Sequence, residues 1–267
     1  MNGTDLINIT YIGSCASILV GLFLTGKYLR FRLATSNTIV RYKEVVKYSA
    51  TISIGGIAQT LPRMLDVYFV QFFFGLAVVG LYAPAKTIFR FVEDLINAIY
   101  STIYSPTVKY FANDDIIGVN KIITKSVSFL VTLFASATLF CWLGGDSVIE
   151  YILPEKFVNS ISILNYLLLA SIFLPFTLIN SVINANGYPQ IVAKYILFGV
   201  VGWFISFALV GTFFNETTYF IALPYIVYSL ILMLLTFCYA RKHYHFKFKQ
   251  IFRLFSDGYF FFYNKVR

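Results

Sequence analysis

The sequence predicts an all-α polytopic membrane protein of about seven transmembrane helices, and three observations lead there. Hydrophobic residues make up 58% of the 267 and charged residues 12%, with a mean hydropathy of +0.75, whereas a soluble domain carries roughly 25% charged residues. Apolar runs of about 20 residues, the length that crosses a bilayer, follow one another with short polar links between them. The basic residues gather in alternate links, as they do when one side of a membrane retains them. The formal charge of +9 and a pI near 9.3 would suggest a nucleic-acid partner only if the cations shared one exposed face. They follow topology instead, so no nucleic-acid partner is expected.

The first span is residues 6–26, preceded only by Asp5 and therefore without the basic segment of a signal peptide. Lys27, Arg30, Arg32, Arg41, Lys43 and Lys47 follow, with Glu44 as the single acid, which puts residues 27–44 in the cytoplasm and the N-terminus outside. A second helix is expected from about Val45 to Phe74, kinked near Pro62. A third runs from about Ala83 to Phe111, with Pro84 in its first turn and Gly75 and Gly80 in the connection. The fourth covers Ile122 to Leu143 and the fifth Ile161 to Ile183, where Asn184-Ala185-Asn186-Gly187 before Pro189 reads as a stop and a new start. Spans six and seven cover Ile191 to Phe214 and Tyr219 to Ala240.

The tail, residues 241–267, carries Arg241, Lys242, His243, His245, Lys247, Lys249 and Arg253 and then a run of aromatics. It reads as an amphipathic cytoplasmic segment lying among headgroups and attracted to anionic lipid. Cys15, Cys141 and Cys238 sit in separate apolar runs and read as core thiols; no metal site is expected.

Residues Gln59 to Asn97 organise the rest. Gln59, Arg63 and Asp66 fall at i, i+4 and i+7, and Lys86, Arg90, Glu93 and Asn97 repeat that rhythm, with Asp94 beside them. Each helix thus carries a polar stripe, and a charge at bilayer depth costs at least about 2.5–3.5 kcal/mol, so the stripes must meet each other or a polar cavity. One reading makes Arg63 with Asp66, and Arg90 with Glu93 or Asp94, ion pairs within a helix. The other makes Arg63, Lys86, Arg90, Gln59 and Asn97 the lining of a cavity for an anion, with Asp66, Glu93 and Asp94 as counter-charges or ion-coupling groups. Lys86 favours the second, because it has no acid at i+3 or i+4. Phosphate-binding, nucleophile-elbow and zinc-protease motifs are absent, so no enzyme activity is expected, and uphill work would draw on a proton or sodium gradient.

Several segments carry a resemblance: Lys47-Tyr48-Ser49, Arg63-Met64-Leu65-Asp66, Val79-Gly80-Leu81-Tyr82-Ala83-Pro84-Ala85, Ser105-Pro106, and Asn184 through Pro189. In them the chain resembles the C-terminal half of the polysaccharide and O-antigen flippases, a branch of the multidrug/oligosaccharidyl-lipid/polysaccharide exporter superfamily. The resemblance implies that residues 45–240 form one six-helix lobe of a two-lobe exporter and residues 1–26 the last helix of the other lobe. It further implies a multi-pass protein of a bacterial cytoplasmic membrane that translocates an undecaprenyl-diphosphate-linked glycan, with membrane lipid around it. A first lobe would come from another polypeptide or a second copy. An ion-coupled multidrug antiporter of the same superfamily, or a truncated remnant without function, are the alternatives that the resemblance leaves open.

Overall fold

A computed structural model of the chain describes residues 42–145, 160–214 and 218–249, together with Ser17 and Val20. The expected first span, most of the basic linker, the outer loop after the fourth span and the end of the tail lie outside the described residues. The chain divides into two units, Met1–Glu44 and Val45–Arg267, and the second holds the helical lobe.

Every regular element among the described residues is a helix, and the protein is an all-α polytopic membrane protein. α1 (Tyr42–Phe74) and α2 (Leu76–Ala112) are separated only by Gly75. α3 (Ile116–Phe140) comes next, and then α4 (Ser160–Phe173), a 3-10 turn at Leu174–Thr177 and α5 (Leu178–Ala185). α6 (Pro189–Phe213) and α7 (Leu223–His243) complete the lobe. Four helical stretches are long and apolar enough to cross a membrane: Ile116–Gly144, Ser160–Ala185, Pro189–Phe213 and Tyr219–Tyr244. α1 and α2 fall short of that hydropathy because polar and charged side chains dilute them. Their outer faces are nonetheless apolar, with Ile52, Ile57, Met64, Tyr68 and Phe72 exposed on α1 and Leu76, Phe91 and Leu95 on α2.

The α4–α5 stretch is the centre of the bundle: 72% of its apolar window is buried, against 28–44% for the other three. α2, α3 and α7 pack around it. Pro175 has no N–H for the Ser171 carbonyl, so the helix tightens locally into the 3-10 turn rather than running straight. α6 lies along α7, whose approach depends on missing side chains: a Cβ at Gly199 would come within 3.1 Å of the Tyr228 ring. α1 is held to α6 by rings, Phe69 meeting Trp203, Phe204 and Phe207 at centroid distances of 5.2, 5.3 and 5.5 Å.

Two local expectations change. α2 begins at Leu76 rather than near Ala83 and runs through Gly80, because Pro84 forfeits only the one bond to the Gly80 carbonyl and the helix absorbs the loss. Cys238 is exposed on α7 rather than in the core, and a thiol is apolar enough to face lipid, while Cys141 is half-buried against the core. α1 is one helix with Pro62 inside it. The turn at Asn184–Pro189 matches its sequence reading, with Gly187 at φ +82° and its N–H on the Asn184 carbonyl at 3.0 Å.

Gly75 adopts φ +83°, ψ 172°, open to glycine and strained for any residue with a Cβ. Gly75→Ala should therefore lower the stability of the micelle-solubilised protein by about 1–3 kcal/mol. Gly80→Ala, inside the helix with open space around the new methyl, should raise it by about 0.4–1 kcal/mol. Denaturant unfolding of the two variants side by side checks both signs.

Candidate functional site

Asp66 of α1 and Lys86 and Glu93 of α2 are buried, at 0%, 1% and 8% exposure. Lys86 Nζ lies 3.1 Å from Asp66 Oδ2 and donates to Glu93 Oε1 at 3.3 Å. Asp66 is further held by the Tyr82 hydroxyl, donating to Oδ2 at 2.9 Å, and by the Val67 N–H, donating to Oδ1 at 2.8 Å. From α7 the Tyr225 hydroxyl donates to Glu93 Oε1, and the Tyr225 ring faces the ammonium, 3.8 Å from Nζ to centroid. Several kcal/mol of desolvation per ion must be offset at such a site, and the offset comes from this density of donors and from the ring face.

Arg63 closes the network at its partly open side. Its Nη2 donates to Asp94 Oδ1 at 2.6 Å, and its Nε lies 3.2 Å from Glu93 Oε2. That oxygen pairs electrostatically but receives no hydrogen bond, the one buried carboxylate oxygen of the network so placed. The side chain of Arg63 keeps 32% exposure and that of Asp94 62%. Of the residues singled out in the sequence, Arg63, Asp66, Lys86, Glu93 and Asp94 are thus linked. Arg90 is exposed on α2 and makes no salt bridge among the described residues.

Three of the four ion pairs of this network run between helices and one within a helix. Arg63 reaches Glu93 and Asp94 of α2, not Asp66 three residues along; Lys86 reaches Asp66 of α1 and, on its own helix, Glu93 seven residues on. An i+7 partner lies two turns away on the same face, which a long lysine side chain can span.

A cavity of about 330 Å³ lies beside the network. Gln59, Thr60 and Arg63 of α1 form one wall; Glu93, Asn97 and Tyr100 of α2 another; Leu174 and Thr177 of the 3-10 turn and Tyr225 and Tyr228 of α7 complete it. A smaller space of about 100 Å³ shares Gly56, Gln59 and Tyr100 with it and extends to Asn180 and Asn184 of α5. Asn184 Nδ2 donates to the Tyr100 hydroxyl at 2.7 Å, while Oδ1 of Asn180 and of Asn184 has no hydrogen-bond donor. Among the expected lining residues, Gln59, Arg63 and Asn97 face the main cavity; Lys86 and Arg90 do not.

Sequence reasoning missed Tyr82, Thr177, Asn180, Tyr225 and Tyr228. Each is an isolated uncharged polar residue in an apolar stretch, and only Tyr225 with Tyr228, at i and i+3 after Pro224, leaves a trace in the spacing.

The family model of polysaccharide biosynthesis proteins matches residues 11–162, more than half of the 267, and so takes in α1, α2 and α3 with all six central charges. No curated protein and no solved structure matches the chain.

Removing one partner of a buried pair leaves the other uncompensated. Lys86→Met should cost about 3–5 kcal/mol in denaturant unfolding. Adding Asp66→Asn to Lys86→Met should recover part of that, a coupling of about 0.5–3 kcal/mol. Arg90→Ala should stay within about 0.5 kcal/mol of the parent.

Proposed function

The chain belongs to the polysaccharide biosynthesis protein family, and from that premise we propose that it moves a lipid-linked oligosaccharide, an undecaprenyl-diphosphate glycan such as an O-antigen or capsule unit, across a bacterial cytoplasmic membrane. The family match supports a polysaccharide-related membrane transporter. The observation that carries the finer reading is the central cavity, where a half-open arginine, a carboxylate oxygen without a donor and three neutral polar side chains, Gln59, Asn97 and Thr177, converge.

Amide and hydroxyl groups both give and accept hydrogen bonds, which suits the hydroxyls of a sugar. A volume of about 330 Å³ lies at the lower end of small-molecule sites, in keeping with part of a glycan rather than the whole of it. Arg63 supplies forked donors for a diphosphate, which would displace Asp94 from the guanidinium, since Asp94 is the exposed partner. Glu93 and Asp66 balance the remaining charge and are the groups through which a proton or sodium gradient would act.

Asp94 and Arg90 stand exposed on a helix at membrane depth, where bare charge facing lipid is costly. On this reading their face is covered by a second lobe, from another polypeptide or a second copy. The ends of α2 and α7 and the start of α3 supply Lys109, Lys121, Lys125, Arg241 and Lys242, and Asn120 Nδ2 donates to the Tyr244 carbonyl at 2.7 Å, so these cations share one end. That bias supports a cytoplasmic C-terminus.

Surface polysaccharide is the readout, in cells lacking their own flippase that express this chain with a candidate first lobe. Arg63→Ala should abolish it and Arg63→Lys retain part of it. Gln59→Ala and Asn97→Ala, which leave the ion pairs alone, should each lower it by about tenfold, the effect of about 1.4 kcal/mol. Parental polysaccharide from both amide variants and from Arg63→Ala, at normal membrane abundance, would overturn the proposal.

A further inference from the structure

The basic end of the lobe holds a second cavity, which the transport reading does not use. α7 stops at His243. The Tyr244 and Phe246 N–H groups both return to the Ala240 carbonyl, at 2.9 and 3.3 Å, and His245 takes φ +54°. A left-handed residue at this place ends a helix and turns the chain back. Residues 244–249 therefore fold back against the lobe. Phe246 is fully buried, its ring 5.9 Å from that of Phe237. Phe248 stacks on Phe176 of the 3-10 turn, with centroids 6.4 Å apart and planes at 9°, and meets Phe237 edge-on at 6.0 Å.

Side chains alternate along this return. Phe246 and Phe248 lie against other rings, Phe246 buried and Phe248 still 43% exposed, while His245, Lys247 and Lys249 are exposed. Between the return and the end of α7 lies a cavity of about 370 Å³, lined by Arg241, His245, Lys247 and Lys249 around a floor of Phe237, Phe246 and Phe248. Arg241, Lys247, Lys249 and the His245 imidazole thus surround an apolar floor, with no acid among the described residues of the lining.

We propose that this cavity binds the phosphate of an anionic phospholipid headgroup at the membrane surface. The arginine fork and the two ammonium groups take the phosphate oxygens. The phenylalanine floor takes the glycerol and upper acyl carbons, at the level where a span ends and lipid headgroups begin. A free phosphate would use the cations alone and leave the rings without an occupant, which favours lipid as the source. The site concerns only the lobe and its tail and does not depend on what the central cavity carries.

The test uses the full chain in neutral detergent micelles, with thermal unfolding followed as short-chain phosphatidylglycerol, phosphatidylcholine of equal chain length, or inorganic phosphate is added. Phosphatidylglycerol should raise the unfolding temperature saturably, and the other two should not. The variant R241Q/K247Q/K249Q should raise the half-saturating phosphatidylglycerol concentration by on the order of tenfold or more, and K121Q/K125Q, at the same end but outside the cavity, should leave it within about twofold. Should the triple variant not fold, Lys249→Gln alone, at an exposed side chain, should still shift it by about threefold. An equal response to phosphatidylcholine, an equal shift with inorganic phosphate, or equal weakening by K121Q/K125Q would each overturn the proposal.

Discussion

The side chain of Lys86 has almost no access to solvent, and the way α1, α2 and α7 meet follows from giving it partners. One carboxylate comes from α1 and one from α2, so the lysine ties the two helices together, as Arg63 with Glu93 and Asp94 and Tyr82 with Asp66 also do. Once Asp66 and Glu93 are committed, Arg63 can reach only the second oxygen of Glu93 and the next acid, Asp94. The half-open guanidinium beside the central cavity is therefore a by-product of burying a different cation. Tyr225 extends the same constraint to α7, because its hydroxyl and its ring serve Glu93 and Lys86 together.

A single irregularity in the most buried helix serves two places. The 3-10 turn at Leu174–Thr177 turns Leu174 and Thr177 to the central cavity, and Phe176 to the returning tail. In an unbroken α-helix, residues 174 and 177 share a face and 176 points elsewhere, so the opposition is helical geometry. What Pro175 adds is a local tightening of the helix at this point.

Much of this was legible in the sequence. The helices from α3 onward follow from apolar runs and from punctuation at Asn184–Pro189, and the grouping of charges on α1 and α2 follows from their 3.6-residue rhythm. The partners within the group were not legible. Arg63 and Asp66 are the right distance apart to pair, as are Arg90 and Glu93, yet neither pair forms, because spacing along one helix says nothing about which neighbour supplies an acid closer at hand. The neutral cavity residues were hidden for another reason. A tyrosine or threonine on an apolar helix leaves hydropathy nearly unchanged, and Tyr225 stands 132 residues from the carboxylate that it serves. Gly80 misled in the opposite direction: as a helix breaker it suggested a turn, but hydrogen bonding in the apolar stretch between Leu76 and Pro84 outweighs its conformational freedom.

Gly75 as the whole connection between α1 and α2 has a kinematic consequence. Two rigid rods joined through one residue have only its φ and ψ as soft coordinates, so they cannot slide past one another and can only swing about a point. Arg63 lies twelve residues from that pivot, about 18 Å along the helix, so a swing of about 10° carries its side chain roughly 3 Å. A hydrogen bond of 2.6 Å to Asp94 does not survive such an arc. Angular play at one glycine is thus amplified into the making or breaking of ion pairs beside the central cavity, with the helix itself as the lever arm.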